Sequence, residues 1–337
     1  ILELARRIEQ GESLVDLAGA VVDENGQISL NTETPWTEKL DDLPLPALDL
    51  LPMDRYQSVV VKNPFVSMVT SRGCPFKCAF CSQMYSGENF RSHSADRILS
   101  EFDRAVSEFS AKEVVLFDET FGVQRQIALE VCEKLAERDN SPRWNARTRI
   151  DVLDEELLRA MKSSGCHLLH LGIESGCQST LDRMNKNITV DRVRQVVALA
   201  KQMGFAVHGY FMIGYPNETR RDIRDTLRFS RALKLDWVSY TITIPNPRTD
   251  LFNEARAKGM VEADFWEKYS KGEAEPVIPF LHSKECPAEY LRRTLALAYM
   301  RFYLNPVNLW RQSRSIVKSG GLGNLMLAIR LWLREVL

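Results

Sequence analysis

The sequence is poor in the features that mark membrane-spanning, secreted and nucleic-acid-binding proteins. Its 337 residues hold no uninterrupted apolar run near the roughly 20 residues of a transmembrane helix, and its start lacks the apolar core of a signal peptide. Seven cysteines, an odd number, do not suit a secreted disulfide framework. The formal net charge of −1 provides no overall attraction to nucleic acid. These absences predict a cytoplasmic protein without a nucleic-acid partner.

The composition is typical of a globular protein. Hydrophobic residues make up 45% of the chain and charged residues 26%, and the length suits one large domain or two ordinary ones. The charge is nevertheless uneven along the chain. Residues 1–55 carry twelve acids and four bases, whereas residues 291–337 carry eight bases and one acid. We interpret these segments as two solvated surfaces of opposite sign.

The two ends of the chain show simple local patterns. Apolar residues at helical spacing in residues 1–8, followed by a turn at 23–26 between short apolar runs, predict a helix and a hairpin. The proline-interrupted segment 40–52 predicts an extended connector. Residues 322–336 predict a basic amphipathic helix. This helix either docks on the protein or lies at a membrane interface, which would give peripheral membrane contact.

The middle of the chain alternates between strand-like and helix-like segments. Asp154 is placed to cap one of these helices, and Gly165 is placed to end it. Strands alternating with helices predict an α/β fold with a parallel sheet, whose functional residues lie at the carboxyl ends of the strands. The predicted strands are 65–71, 113–118, 143–149, 167–174, 206–214 and 237–244.

Three cysteines stand close together directly after the first of these strands. The segment Ser71-Arg-Gly-Cys74-Pro-Phe-Lys-Cys78-Ala-Phe-Cys81 has the spacing Cys-x3-Cys-x2-Cys. A structural zinc site needs four ligands, and no fourth ligand follows at the spacing of a zinc finger. Three thiolates on a 4Fe–4S cluster leave one iron open to a substrate. We interpret the isolated cysteines as packing residues: Cys132, Cys166, Cys177 and Cys286.

The segment from about residue 65 to 260 resembles the radical S-adenosylmethionine (SAM) superfamily. The resemblance implies a partial (β/α)6 TIM-like barrel with a C-terminal helical extension. It also implies that Cys74, Cys78 and Cys81 bind a 4Fe–4S cluster whose open iron is chelated by SAM. Phe80, the aromatic residue before the third cysteine, would lie near the adenine.

The same resemblance suggests the SAM contacts. Asp118 and Glu119 follow the second strand, where the superfamily contacts the amino group of SAM; a helix cap is the alternative. Arg149, on one strand face with Asn145 and Arg147, would bind the SAM carboxylate; an internal salt bridge is the alternative.

Two further contacts are implied at the fourth and fifth strands. Glu174 would contact the ribose, and His170 on the same face either lines the cavity or belongs to the core. Gly214 begins the turn that ends the adenine-binding strand. Asn217 and Arg248 stand where the superfamily usually has glycine. Asparagine tolerates a left-handed turn, whereas the arginine predicts either an altered turn or an added substrate contact.

The N-terminal segment resembles the cobalamin-dependent branch of the superfamily. Residues 1–56 look like the end of a cobalamin-binding domain and its linker, ahead of a barrel core at 57–260 and a helical extension at 261–337. The cobalamin signature Asp-x-His-x-x-Gly does not occur in the chain, so we expect most of that domain upstream.

These parts together suggest a function. The resemblance implies a radical SAM C-methyltransferase that uses a 4Fe–4S cluster, SAM and cobalamin on a small-molecule or lipid-like substrate, with a flavodoxin- or ferredoxin-type reductant. A non-methylating cyclase or rearrangement enzyme is one alternative, and a non-catalytic iron–sulfur electron-transfer or scaffold protein is another. The candidate substrate contacts, which packing would explain equally well, are His208, Tyr210 and Tyr240.

Overall fold

The computed structural model describes residues 1–24, 27–31, 37, 39–58, 60–82, 89–262, 265–273, 281 and 283–312. The chain divides into two compact units, residues 1–44 and residues 45–337. The predicted amphipathic helix at 322–336 lies outside the described residues. No helix among those described is long and apolar enough to cross a membrane. The predicted domain boundaries after residues 56 and 260 stay predictions.

The first unit contains the predicted helix and hairpin. Helix α1 (Leu2–Gln10) ends at a glycine with φ of 65°, and strands β1 (Val21–Glu24) and β2 (Gln27–Leu30) pair antiparallel. Acidic and basic side chains one turn apart pair along α1, for example Arg6 with Glu3. Both predictions for this segment are therefore confirmed.

The second unit is built on six parallel strands, which confirms all six predicted strands and the α/β class. They are β3 (Phe65–Met68), β6 (Glu113–Leu116), β7 (Arg143–Thr148), β8 (Cys166–Glu174), β9 (Ala206–Ile213) and β10 (Trp237–Ile242), paired in the order β3-β6-β7-β8-β9-β10. A short antiparallel pair, β4 (Ser71–Arg72) and β5 (Arg91–Ser92), lies after β3. With β3 and β10 at its edges, this is the sheet of a partial barrel.

Nine described helices follow in the second unit. They are α2 (Ala95–Ser107), α3 (Arg125–Ala136), α4 (Glu155–Ser163), α5 (Gln178–Arg183), α6 (Val190–Gln202), α7 (Arg220–Ala232), α8 (Asp250–Ala257), α9 (Phe265–Ser270) and α10 (Ala288–Tyr303). The segment 40–55 contains only short 3-10 turns, as its prolines predict. The Asp154 side chain accepts a hydrogen bond from the Leu157 amide and so caps α4 as predicted.

The helices cover one face of the sheet. Because side chains alternate along a strand, every second residue lies on the opposite face. Along β9, Val207 and Phe211 are buried in the core that the sheet shares with the helices, whereas His208 and Tyr210 are half-buried on the opposite side. We call that opposite side the inner face. Of the cysteines interpreted as packing residues, Cys132, Cys166 and Cys286 are buried, and Cys177 is only half-buried.

A tight turn after β9 encloses a buried acid. Gly214 and Asn217 have φ of 81° and 60°, so the asparagine supports the left-handed geometry as predicted. Arg248 also adopts a positive φ, of 64°, so the turn after β10 keeps this geometry without glycine. The Glu218 carboxylate accepts hydrogen bonds from the amides of Gly214 (2.7 Å) and Tyr215 (3.2 Å) through Oε2.

We predict that Glu218→Gln changes how stability depends on pH. Burial raises the pKa of Glu218 to about 7, although the two amide hydrogen bonds act in the opposite direction. The folded state therefore keeps this proton longer than the unfolded chain, and stability falls as pH rises from about 4.5 to 7. The variant removes this loss, so it should gain about 2–3 kcal/mol relative to the native protein between pH 5 and pH 8.

The measurement is the free energy of urea unfolding at both pH values. Glu155→Gln, at an exposed site on α4, is the control and should show no such pH-dependent gain. The same stability difference between Glu218→Gln and the native protein at pH 5 and pH 8 would contradict the prediction.

Candidate active site

The cysteine loop lies at the carboxyl end of the sheet and is held there by backbone hydrogen bonds. The Ala79 amide donates to the Met184 carbonyl at 2.9 Å, and the Leu251 amide donates to the Ala79 carbonyl at 2.8 Å. The Asn185 side chain donates to the Lys77 carbonyl at 2.6 Å. The loop is therefore attached both to the segment that follows α5 and to the start of α8.

Arg149 joins this loop to the end of β7. Its guanidinium donates to Cys78 Sγ at 3.0 Å and to the Lys186 carbonyl at 2.6 Å. It also forms a two-pronged ion pair with Asp151, at 2.9 and 3.0 Å, and lies 3.9 Å above the Phe76 ring. The internal salt bridge considered for Arg149 is thus present, and its predicted contact with the SAM carboxylate stays a prediction.

The three cysteines of the loop suit a cluster better than a single metal ion. Among the described residues, no group of three or more Cys, His, Asp or Glu side chains is arranged to hold one ion. A 4Fe–4S cluster binds its thiolates through different iron atoms, so its ligands need not converge on one point. Cysteine thiolates are the ligands that iron–sulfur clusters use, so the donor set fits the cluster.

Asp118 has a structural role that the sequence did not suggest. It is 1% exposed, and its Oδ1 accepts hydrogen bonds from the amides of Thr70 (2.6 Å) and Ser71 (3.2 Å). Its Oδ2 accepts a hydrogen bond from the Thr70 hydroxyl. Burial raises the pKa of this carboxyl group. We therefore correct the expectation for Asp118: it holds the turn between β3 and β4, which leaves the exposed Glu119 as the predicted contact of the SAM amino group.

Glu174 is paired with a lysine that sequence reasoning missed. Lys186 Nζ donates to Glu174 Oε1 at 2.8 Å, and both residues are buried. A Cβ atom at Gly172 would lie 2.7 Å from Glu174 Oε1, so any other residue there would displace the carboxylate. The Phe80 ring lies 5.8 Å from Lys186 Nζ. The structure therefore brings the predicted adenine and ribose contacts, Phe80 and Glu174, around one buried lysine.

The backbone of Gly214 takes part in the turn that follows β9. Its amide donates to Glu218, and a Cβ atom at this position would lie 2.7 Å from Leu291 Cδ1 on α10. Glycine is therefore required by packing as well as by the positive φ. The predicted adenine contact at Gly214 stays a prediction.

The inner face carries a polar aromatic cluster on neighbouring strands. The His208 ring stacks on Tyr210 with centroids 4.5 Å apart and lies 5.2 Å from the His170 ring. The Tyr210 hydroxyl lies 3.0 Å from His170 Nδ1, and His208 Nε2 lies 2.9 Å from the Ser239 hydroxyl. His208 and Tyr210, two of the three predicted substrate contacts, are thus side by side, and His170 lines the same surface.

Tyr240, the third predicted substrate contact, lies on the wrong side of the sheet. The β9–β10 register pairs it with Phe211, whose side chain is in the core, and pairs Tyr210 with Ser239. Tyr240 is 3% exposed, and its hydroxyl lies 2.6 Å from the Ser230 hydroxyl of α7. We correct this expectation: Tyr240 packs between the sheet and the helices.

Arg147 and Phe117 also lie on the inner face, although the sequence did not identify them as site residues. Strand alternation was the available signal for Arg147, because it shares a face with Asn145 and Arg149. Its guanidinium lies 4.0 Å above the Phe117 ring. Lys186 had no such signal, because it lies in an irregular segment after α5.

Comparison with known proteins agrees with this arrangement. Residues 68–230 match the sequence model of the Radical SAM superfamily. An uncharacterized methyltransferase of Pyrococcus horikoshii is 33% identical over 305 residues, which are 90% of this chain and 65% of that protein. The anaerobic magnesium-protoporphyrin IX monomethyl ester cyclase of Rubrivivax gelatinosus is 28% identical over 313 residues, which are 90% of this chain and 55% of that protein. The chain thus spans less than two thirds of the length of either relative.

A solved structure shares the fold. The cobalamin-dependent S-adenosylmethionine radical enzyme OxsB, with aqua-cobalamin and S-adenosylmethionine bound, matches with a TM-score of 0.67 at 17% identity. The match covers 90% of this chain and 49% of that one. The matched sequence model, the cysteine motif and the order of the six strands lead to one conclusion: residues 68–230 are a radical SAM domain.

Proposed function

We propose that this chain performs the radical step of a cobalamin-dependent C-methyltransferase acting on a small-molecule or lipid-like substrate. The observation that carries the proposal is the three-cysteine loop held at the carboxyl end of the sheet, beside the buried Lys186–Glu174 pair. Methylation is favoured by the similarity to the Pyrococcus methyltransferase, and cobalamin by the shared fold with OxsB. The enzyme would work in the cytoplasm with a flavodoxin- or ferredoxin-type reductant.

Each residue of the site has a definable task in this proposal. When bound, the cluster, SAM and cobalamin supply radical formation and methyl transfer. Cys74, Cys78 and Cys81 would hold three irons and leave the fourth for SAM. The Arg149 guanidinium compensates negative charge at Cys78. Lys186 fixes the Glu174 carboxylate in one orientation, ready to accept hydrogen bonds from the ribose.

Two other functions give different expectations. A non-methylating cyclase is favoured by the similarity to the Rubrivivax cyclase and would use the same cysteine loop and SAM contacts. A non-catalytic iron–sulfur protein would use four protein ligands on its cluster. The Cys-x3-Cys-x2-Cys loop offers three, which favours an enzyme.

We predict that Cys78→Ala abolishes SAM cleavage. Without one of three thiolates the cluster should not assemble, so 5′-deoxyadenosine should fall below detection after anaerobic reconstitution with iron and sulfide. Iron content and chromatography of the reaction mixture measure both effects. Cys132→Ala, in the buried core of α3, is the control and should keep cluster and activity. SAM cleavage by Cys78→Ala would contradict the assignment of the cluster.

We predict that Glu174→Gln weakens SAM binding about tenfold, because a neutral amide is a poorer hydrogen-bond acceptor than a carboxylate. Equilibrium dialysis of SAM against the reconstituted protein measures the dissociation constant. Glu156→Gln, an exposed carboxylate in the first turn of α4, is the control and should bind SAM normally. An unchanged dissociation constant in Glu174→Gln would remove Glu174 from the SAM site.

We predict that the protein, supplied with cobalamin, a reductant and methyl-labelled SAM, forms both S-adenosylhomocysteine and 5′-deoxyadenosine. The first product marks methyl transfer from one SAM, and the second marks radical cleavage of another. Chromatography quantifies the two nucleosides and the label on cobalamin. Formation of 5′-deoxyadenosine without S-adenosylhomocysteine would favour the cyclase, and formation of neither would contradict both.

A further inference from the structure

The inner face presents one arginine whose charge the described protein does not neutralise. We propose, on the basis of the function proposed above, that Arg147 binds a carboxylate of the substrate, and that this substrate has a flat apolar frame which lies against Phe117. Arg147 would then be a specificity-determining residue rather than part of the SAM site.

The backbone register places Arg147 in the middle of the inner face. Arg147 on β7 is aligned with His170 on β8, and His170 is aligned with His208 on β9. Its neighbours Ala146 and Thr148 are buried, whereas Arg147 itself is exposed. Arg147 therefore lies beside the imidazole cluster, two residues before Arg149 and further from the cysteine loop along the strand.

The ion pairs of this strand separate Arg147 from the other arginines. Arg149 pairs with Asp151, and Arg143 pairs with Glu113 at 3.0 Å. Arg147 forms no ion pair with a carboxylate of the described residues, and its guanidinium lies over the ring of Phe117. A cation on a partly enclosed surface attracts an anion, and a guanidinium can bind a carboxylate through two parallel hydrogen bonds.

The neighbouring imidazoles of His170 and His208 add no positive charge to that of Arg147. Burial, the neighbouring His208 and the Arg147 charge together lower the pKa of His170 to about 3, and burial and the Arg147 charge lower that of His208 to about 4. Both rings are therefore neutral near pH 7. They can donate or accept hydrogen bonds, but they add no charge that would attract an anion.

The apolar part of the proposed ligand follows from two exposed side chains. Phe117 is 43% exposed and Val69 is 40% exposed, although both belong to the sheet side that faces the site. Large apolar side chains at such positions are suited to contact with a ligand. A planar hydrocarbon that carries a carboxylate would pack against Phe117 and Val69 while its carboxylate binds the Arg147 guanidinium.

The test compares two probes of the same shape and different charge. Equilibrium dialysis of the reconstituted protein measures binding of 2-naphthoate and of the neutral 2-naphthamide. We expect naphthoate to bind about tenfold more tightly than naphthamide, because only naphthoate has a carboxylate for the guanidinium. Arg147→Gln should remove this difference by weakening naphthoate alone, and Arg147→Lys should restore part of it.

A second arginine-lined cavity provides the matched control. It has a volume of about 260 Å³, lies between α7 and α10, and is lined by Arg224, Arg231 and Arg301. Arg231→Gln should leave naphthoate binding unchanged. If Arg231→Gln weakens naphthoate binding and Arg147→Gln does not, the anion binds at the outer cavity and the proposal is wrong.

Two further outcomes would overturn the proposal. Equal or absent binding of both probes by the native protein would show that the inner face does not select a carboxylate. Weaker SAM binding by Arg147→Gln would assign Arg147 to the SAM carboxylate instead. Binding of the naphthalene probes requires no SAM cleavage. The probe measurements therefore test the role of Arg147 separately from the formation of 5′-deoxyadenosine or S-adenosylhomocysteine, which tests the proposed function.

Discussion

One buried cation, Arg149, links the cysteine loop to the sheet, in addition to the hydrogen bonds of the loop backbone. A buried guanidinium is costly unless its donors are paired, and here they reach Asp151, the Lys186 carbonyl and the Cys78 sulfur. The loop itself has no regular secondary structure, so these contacts replace the hydrogen bonds that a strand or helix would supply. Because Arg149 directly follows β7, the rigidity of the sheet is transferred to Cys78.

Glu174 combines a strained backbone conformation with a local ion pair. It adopts φ of 68°, in the left-handed region that costs a residue with a side chain roughly 1–2 kcal/mol. The β8–β9 register shifts between Gly172 and Glu174, so the strand end turns the carboxylate toward Lys186. The pairing with Lys186 holds the carboxylate in this conformation, and the result is an acid with a fixed direction at the edge of the site.

The sequence was sufficient for the features that depend on local patterns. The six strands, the Asp154 cap and the cysteine spacing each arise within a few neighbouring residues. Tyr240 was assigned to the wrong face because strand alternation reveals which residues share a face, whereas the register with β9 decides which face is inner. The structural role of Asp118 and the place of Lys186 in the site were not predicted for a related reason: their partners lie in segments that only the folded backbone brings near.

The charges of the inner face are arranged in order along the strands. Near the amino ends, Glu113 is fully buried and receives hydrogen bonds from Asn145 (2.8 Å) and the Lys62 amide (2.9 Å), besides its pair with Arg143. Burial alone would raise the pKa of Glu113. The contact with His167 Nε2 (2.7 Å), followed by the Lys62 amide and the Arg143 charge, outweighs burial and holds the pKa below its ordinary value.

This carboxylate is therefore already neutralised, and it does not compete for Arg147 further along the face. Beyond Arg147 along the strand, Arg149 pairs with Asp151 and contacts Cys78, and Lys186 pairs with Glu174. Because the acids at both ends of the face have partners of their own, the middle of the face keeps a positive charge beside exposed aromatic surface. A substrate that entered there with a carboxylate would be oriented by charge and by stacking together, which would hold one carbon in a fixed position for hydrogen abstraction.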